Sequence, residues 1–76
     1  MKELLTYIAQ NLVEHPDQVS VIETVEGEET VLALHVAPDD MGKVIGRQGR
    51  IAKEIRTLMR SVAQRKGTRV SVEIVD

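Results

Sequence analysis

The residues best suited to chemistry lie in one short, glycine-containing stretch. Gly46 and Gly49 stand three positions apart and enclose two long polar side chains, Arg47 and Gln48. Because glycine has no Cβ, a phosphodiester backbone can approach the main chain closely at such positions. If a helix begins near Arg50, the free N–H groups of its first turn favour anions as well. The spacing therefore predicts a loop that binds phosphate groups.

A Gly-x-x-Gly spacing also arises by chance in tight turns between helices, where glycine serves packing alone. The context favours the phosphate-binding interpretation, because apolar residues flank the loop and a further cation stands nearby. Val44 and Ile45 precede the glycines, Ile51 follows them, and Lys43 adds positive charge one turn earlier. The packing turn stays open as the alternative.

Other chemistries fit the sequence poorly. A nucleotide-binding P-loop needs Ser or Thr after its Gly-Lys pair, but Val44 follows that pair here. Adjacent acidic residues at a helix start, Asp39 and Asp40, are more typical of caps than of metal ligands. The two histidines lie far apart in the sequence, and no serine has a recognisable base beside it. We therefore predict no enzymatic activity, no metal and no cofactor.

Length and composition limit the fold that must position this loop. Seventy-six residues without cysteine predict one small domain that has neither disulfides nor a thiolate metal site. The longest apolar run, Val31–Leu34, is too short to span a membrane. The N-terminus lacks the apolar region and cleavage site of a signal peptide. We expect a complete, unprocessed, cytoplasmic chain.

Charge is distributed unevenly along the chain. Residues 1–40 hold one basic and nine acidic residues, a net of −8, whereas residues 41–76 hold nine basic and three acidic residues, a net of +6. The basic half suits an anionic partner, although a solvated face is the plainer explanation of such charge. Tyr7 is the only aromatic residue. Stacking of bases on several exposed aromatic rings, as in RRM and OB domains, is therefore excluded.

Hydrophobic periodicity predicts six elements in the order α-β-β-α-α-β. The second and third strands are separated by two helices, which predicts a parallel pair with a right-handed crossover. The fold class is therefore α+β, a three-stranded mixed sheet with helices packed on one face. The predicted segments are helix 3–13, strands 18–25 and 30–37 joined as a hairpin, helix 41–45, a helix from Arg50 to a cap at Gly67, and strand 68–75.

Two finer expectations concern the helices. Asp39 or Asp40 should cap the short helix, since both precede its first residue. The long helix should bury a stripe at spacings of four, three and four residues. The residues of that stripe are Ile51, Ile55, Leu58 and Val62.

The sequence resembles the KH-domain family through the stretch Val44–Ile51, which reads VIGRQGRI. The GXXG loop of that family clamps about four nucleotides of backbone. The element order is similar to the type II, prokaryotic KH topology over essentially the whole chain. The resemblance implies a single type II KH domain over residues 1–76, with the GXXG loop at 46–49. A free-standing domain of this length looks most like the KhpA family of bacterial RNA-binding proteins.

The resemblance also implies roles for matching positions. The loop would clamp phosphates, and apolar residues around it would hold bases by aliphatic contact and edge hydrogen bonds. A stripe of Lys53, Arg56 and Arg60 could extend the phosphate track, although such stripes are more often solvated. The implied RNA-binding residues are Lys43, Val44, Ile45, Gly46, Arg47, Gln48, Gly49, Arg50, Ile51 and Lys53.

Partners and cellular role follow from the same resemblance. It implies single-stranded RNA as ligand, and a homodimer or a heterodimer with a larger KH-containing protein of the KhpB type. It implies an RNA chaperone in post-transcriptional control linked to cell shape and cell-wall homeostasis. The alternative is a degenerate KH fold that serves only protein–protein interaction. The cations Lys43, Arg47 and Arg50 around the loop favour RNA binding.

Overall fold

A computed structural model describes residues 1–75 of the chain. Short 3-10 turns lie between several of its elements, and the predicted α-β-β-α-α-β order is confirmed. Among these residues no helix combines the length and the apolar composition that crossing a membrane requires. The helices and strands are α1 (Lys2–Gln10), β1 (Ser20–Glu26), β2 (Glu29–His35), α2 (Met41–Ile45), α3 (Arg50–Arg65) and β3 (Arg69–Val75).

The sheet has the strand order β1-β2-β3, with β2 at its centre. β1 and β2 form an antiparallel hairpin in which Val21 lies opposite Leu34. β2 and β3 are parallel, with Leu32 opposite Val72. Parallel neighbours need a crossover rather than a tight turn, and α2 and α3 provide it. The predicted mixed sheet is confirmed.

The hydrophobic core lies between the helices and one face of the sheet. The alternation of the strands directs Val21, Leu32, Leu34, Val70 and Val72 to that face. From the helices, small and large apolar residues complete the core. These are Leu5, Ala9, Val44, Ile55, Met59 and Ala63. The helices therefore cover one face, as expected, and Ile22 on the other face is 56% exposed.

The buried stripe of α3 is rotated relative to the predicted one. Leu58, expected in the core, is 47% exposed. Alanine is short, so a helix that turns alanines toward a sheet can approach it closely, and a long flexible methionine can fill the remaining space. The residues that α3 buries are Ala52, Ile55, Met59 and Ala63. Of the four predicted residues, Ile55 is buried and Ile51 and Val62 are half-buried. The prediction was wrong at Leu58, since the helix buries Met59 instead.

The first helix is shorter than its apolar pattern predicted. It ends at Gln10, three residues before the expected end at Val13. Asn11 explains the early end, because its side-chain amide donates to the Tyr7 carbonyl at 2.8 Å and so offers an alternative to the next helical turn. Leu12, beyond that end, is 37% exposed.

Candidate nucleic-acid interface

The GXXG loop, Gly46–Gly49, joins α2 to α3 through a sharp turn. Its φ angles are 77° at Gly46, 58° at Gln48 and 74° at Gly49. Positive φ is nearly free for glycine and costs other residues about 1–2 kcal/mol. Within residues 1–75, Gln48 is the non-glycine residue that adopts it. The loop therefore holds one polar side chain in a strained main-chain conformation at its tip.

Position 46 favours glycine for two reasons, the positive φ angle and the lack of room for a side chain. A Cβ at this position would lie 2.6 Å from Cγ1 of Ile51 and 2.9 Å from its Cβ. A Cβ at Gly49 would meet no atom of the described chain within 4 Å. Gly46 thus lets the first turn of α3 pack against the loop, so the packing role and the predicted phosphate-binding role fall on the same residue.

The polar side chains of the loop face solvent. Arg47, Gln48 and Arg50 are all exposed. The Arg50 guanidinium donates to Oε1 of Gln48 at 3.5 Å, a long contact that leaves most of its donors free. Within residues 1–75 neither arginine forms a salt bridge. Two uncompensated guanidinium groups therefore stand at one tip of the molecule, suited to phosphate oxygens.

The start of α3 also contributes to the electrostatics of this tip. Gly49 occupies the N-cap position, and among the described residues no side chain caps the helix there. The first N–H groups of an α-helix have no partner within it, and they carry the positive end of the helix dipole. The N–H groups of Gly49 and Arg50 already donate to the carbonyls of Gly46 and Arg47 within the loop. The tip thus combines side-chain cations with the positive end of the helix dipole.

The apolar residues predicted around the loop, taken together with Ile55 of the predicted α3 stripe, divide into two groups. Val44 is fully buried and Ile55 is 4% exposed, so both belong to the core that supports the loop. Ile45 is 36% exposed and Ile51 is half-buried. Only the second pair offers surface that a base could contact.

Lys43 differs from the other predicted cations. Its ammonium lies 3.8 Å from Oδ1 of Asp40 and 3.8 Å from Oε1 of Glu14. Two carboxylates thus compensate its charge before any ligand arrives. We expect Lys43 to contribute less to phosphate binding than Arg47 does.

Asp40 is the buried acidic residue behind the loop, with 1% of its surface exposed. Its carboxylate accepts the N–H of Glu14 at 3.1 Å and that of His15 at 3.0 Å. Burial favours the protonated acid, but these two donors, together with the charges of His15 and Lys43, outweigh it and hold the pKa of Asp40 below its usual value.

The predicted capping role of Asp39 or Asp40 is therefore wrong. Among the described residues, no side chain caps the N-terminus of α2. The Asp40 carboxylate turns instead toward the segment that follows α1, where two main-chain N–H groups would otherwise lack partners. The sequence gives no local signal for this, because the partners lie 25 and 26 positions away.

Asp39 makes a second connection to the same segment. Its Oδ2 lies 3.1 Å from Nε2 of His15. This hydrogen bond, and the negative charge of Asp39, raise the pKa of His15 above its usual value. Together His15, Asp39 and Asp40 bring ligand atoms within 4.8 Å of one another. Since both Asp40 oxygens already accept main-chain N–H groups, we interpret the cluster as a structural tie between the segment after α1 and the start of α2.

The cation stripe of α3 divides in the structure. Lys53 and Arg60 are exposed. Arg56 is also exposed in part, but its Nε donates to the Val72 carbonyl at 3.2 Å. Val72 lies on β3, an edge strand, so this contact satisfies a main-chain acceptor and fixes Arg56 against the sheet. The sequence periodicity could not reveal it, because it depends on how α3 lies across β3.

A likeness of fold extends to a much larger protein. A crystal structure of Aquifex aeolicus Era matches with a TM-score of 0.66, covering 96% of this chain and 28% of that chain. The sequence identity of 21% means that this likeness concerns the fold alone.

Comparison by sequence gives the closer relationships. The RNA-binding protein KhpA of Clostridium acetobutylicum is 53% identical over 75 residues, which cover 99% of this chain and 100% of that protein. Its counterpart in Chlamydia pneumoniae is 51% identical over 77 residues, covering 100% of this chain and 97% of that protein. The family described as KhpA/KhpB, KH domain matches residues 2–74. The chain therefore belongs to the KhpA/KhpB family of KH domains.

Proposed function

We propose that this chain binds single-stranded RNA, with the GXXG loop clamping the backbone of about four nucleotides. The observation that carries the proposal is the loop tip, where Arg47 and Arg50 are exposed and, among residues 1–75, form no salt bridge. They lie beside a positive-φ turn at the start of α3. The relatives at about half identity are themselves named RNA-binding proteins. We infer that the same ligand applies here.

Each part of the site has a distinct role in this proposal. Phosphate oxygens accept from the guanidinium groups and are attracted by the positive end of the α3 dipole. Gly46 and Gly49 leave room for the nucleic-acid backbone, and bases lie against the exposed surface of Ile45 and Ile51. Binding by aliphatic contact suits a chain that has a single aromatic residue.

A site of this size binds weakly on its own. About four nucleotides offer three or four phosphate contacts, which predicts a log–log salt slope of about −2 to −3 for single strands. Two linked modules raise the affinity without any new kind of contact. We therefore propose that residues 1–76 act as one KH domain in a homodimer, or in a heterodimer with a larger KH-containing protein of the KhpB type. The name of the family, which covers both proteins, supports the second arrangement.

We further propose a cytoplasmic RNA chaperone in post-transcriptional control, linked to cell shape and cell-wall homeostasis. This role needs no metal, cofactor or catalytic step. It rests on family membership rather than on geometry, so the loop experiment below tests the RNA-binding part alone.

The test is fluorescence anisotropy with labelled single-stranded RNA at two salt concentrations. The variant Arg47→Asp/Gln48→Asp removes one cation and adds two anions at the tip, and aspartate tolerates the positive φ at position 48. We expect at least a tenfold loss of affinity. The matched control is Gln64→Asp/Arg65→Asp, which makes the same substitutions at exposed positions near the far end of α3. Circular dichroism checks the fold of both variants.

The control variant should bind within a few-fold of the wild type. If the loop variant binds as well as the control does, the loop is a packing turn and not a clamp. A wild-type protein that binds no RNA would favour the alternative, a KH fold that serves protein–protein interaction.

A further inference from the structure

We propose that the face of the sheet turned away from the helices docks a basic amphipathic helix of another protein. This surface, called here the open sheet face, consists of the residues that alternate with the buried ones along the three strands. The GXXG loop joins two helices on the opposite face, so this surface is separate from the proposed RNA site. Its members form four rows across the strands, Ser20-His35-Val75, Ile22-Ala33-Glu73, Thr24-Val31-Ser71 and Glu26-Glu29-Arg69.

The middle of the open sheet face is apolar, although no element of residues 1–75 covers it. Ile22 is 56% exposed, and its neighbours Val31 and Ala33 are half-buried. Ala33 lies opposite Ile22, and Val31 lies two positions away on the same strand, so the three side chains form one patch. A sheet face that meets only water usually carries polar residues at such positions. An uncovered apolar patch with a polar rim instead marks an interaction site.

The shape of the open sheet face fits a helix. Each strand has seven residues. At about 3.3 Å per residue and about 4.8 Å between strands, the face is roughly 23 Å long and roughly 10 Å wide. An α-helix is about 10–12 Å across, and about 15 residues of helix span this length. The small side chains of Thr24, Ala33 and Ser71 let a helix approach the strands closely, as the helices of this domain do on the other face.

The charges around the apolar patch determine the charge of the partner. Glu73 lies beside Ala33 at one edge, and Glu26 and Glu29 lie at the end next to the hairpin turn. Within residues 1–75, Arg69 is the one lysine or arginine of this face, and it lies opposite Glu29. Three carboxylates and one guanidinium attract a helix that carries Lys or Arg beside its apolar stripe, and they repel the phosphates of RNA.

A second copy of this chain fits the open sheet face less well than another protein does. Two such faces stacked together would combine two net negative charges in one interface. A copy that offered any other surface would make a heterologous contact, which continues into an open chain of molecules unless its rotation closes a ring. A separate protein has neither restriction. The small size of the face predicts a weak, transient complex.

The test uses a fluorescein-labelled model helix of about 15 residues, with leucines on one stripe and lysines at the other positions. Its acidic twin has glutamate in place of every lysine. By fluorescence anisotropy we expect the wild-type protein to bind the basic helix at least about tenfold more tightly than the acidic twin. Equal binding of the two peptides, or binding of neither, overturns the proposal.

Reversal of the acidic rim tests the charged part of the face. For Glu26→Lys/Glu73→Lys we expect about a tenfold loss of affinity for the basic helix. The matched control is Asp17→Lys/Glu23→Lys, at exposed positions off this face, since Glu23 shares the helix-covered side of β1 with Val21. The control should bind within about threefold of the wild type. An equal loss in the control overturns the proposal, because the attraction is then one of total charge.

A second variant, Ile22→Thr/Val31→Thr, tests the apolar part and keeps β-branched side chains that suit strands. We expect about a fivefold loss of affinity for the basic helix. The affinity for RNA should stay within about twofold of the wild type, because the two sites are distant. Circular dichroism checks the fold. The opposite change, Thr24→Val, enlarges the patch and should strengthen binding of the helix. If neither variant changes this affinity, the face does not bind the apolar stripe and the proposal is wrong.

Methyl NMR and sedimentation distinguish the other occupants. The methyl signals of Ile22, Val31 and Val75 should shift when the basic helix is added, and that of buried Leu5 should not. Shifts confined to methyl groups outside the open sheet face would contradict the proposal. If Ile22→Thr/Val31→Thr alters self-association in sedimentation experiments and leaves helix binding unchanged, the face is a contact between copies. If it weakens RNA binding instead, the face contacts RNA, and either result overturns the proposal.

Discussion

Gly46 and Gly49 have the same residue type and similar φ angles, but they differ in ψ and in their neighbours. Gly46, at φ 77° and ψ 175°, lies in a region that is essentially restricted to glycine. Gly49, at φ 74° and ψ 15°, lies in the left-handed helical region, which asparagine also visits. A side chain at Gly46 would also overlap Ile51. The two ends of the loop should therefore respond differently to substitution.

We expect Gly46→Ala to lower the free energy of unfolding by about 3 kcal/mol, since it combines a strained conformation with an overlap in a packed region. Gly49→Ala, its matched control, should cost about 1 kcal/mol. Its added methyl group would meet no neighbouring atom, so only the strain of the positive φ remains. Urea denaturation of both variants measures the difference. Equal losses would mean that Ile51 moves aside freely and that the packing role of Gly46 is unimportant.

At the scale of elements, α3 presents two adjacent residues with opposite environments. Met59 is fully buried beneath the helix, whereas its neighbour Leu58 is 47% exposed on the outer side of the helix. Both side chains are large, unbranched at Cβ and compatible with a helix, so truncation of either to alanine leaves helix propensity nearly unchanged. The difference in stability between the two alanine variants therefore reports the difference in burial of the two side chains.

Met59→Ala should lower the free energy of unfolding by about 2–5 kcal/mol, the range for buried large-to-small substitutions. Leu58→Ala should cost about 1 kcal/mol or less, because the leucine already meets water. Chemical denaturation of the two variants at one pH is the measurement. A larger loss of unfolding free energy for Leu58→Ala than for Met59→Ala would support the stripe predicted from the apolar spacing, with Leu58 in the core.

The elements could be predicted because their signals are local. The alternation of Leu32 and Leu34, and the spacing of apolar residues on α3, each specify an element type within a few positions. The rotation of α3 could not be predicted, since large apolar residues occupy both candidate stripes and only contact with the sheet decides between them. The same holds for Asp40 and Arg56, whose partners are distant in sequence.

The loop shows the same division between local and distant information. Its glycines and arginines were identifiable from spacing and from the family signature, and their presence at one tip follows from the turn. That Lys43 would be compensated by Glu14 depends on where the segment after α1 lies. A list of cations taken from the sequence therefore overstates the number that are free to bind an anion.

At the scale of the whole molecule, the tie between the segment after α1 and α2 should make stability depend on pH. Asp39 raises the pKa of His15, so protonation of His15 stabilises the folded chain. This contribution is complete below the pKa of histidine in the unfolded chain and disappears as pH rises through the higher folded value. The Asp40 carboxylate has the opposite sign, because its folded pKa is lowered, and its contribution disappears as pH falls through that value.

As pH rises from 6 to 8, we expect the midpoint temperature of thermal unfolding to decrease more in the wild type than in Asp39→Asn, which removes the partner charge of His15. Because the pair is exposed, the difference between the two proteins should be small. Thermal scans of both proteins across this range measure it. If the two curves run parallel, the contact between His15 and Asp39 does not contribute to stability.

Because β3 follows α2 and α3 in the chain, the sheet is complete only after β3 has been synthesised and has paired with β2. During synthesis the β1–β2 hairpin, α2 and α3 emerge before Arg69, and at that stage one edge of β2 has no neighbour. The apolar side chains of β2 that pair with β3 also lack part of their cover until then. A nascent chain at this stage exposes an unpaired strand edge and is prone to aggregate. Rapid joining of β3 once it leaves the ribosome is thus a condition for a high yield of folded protein.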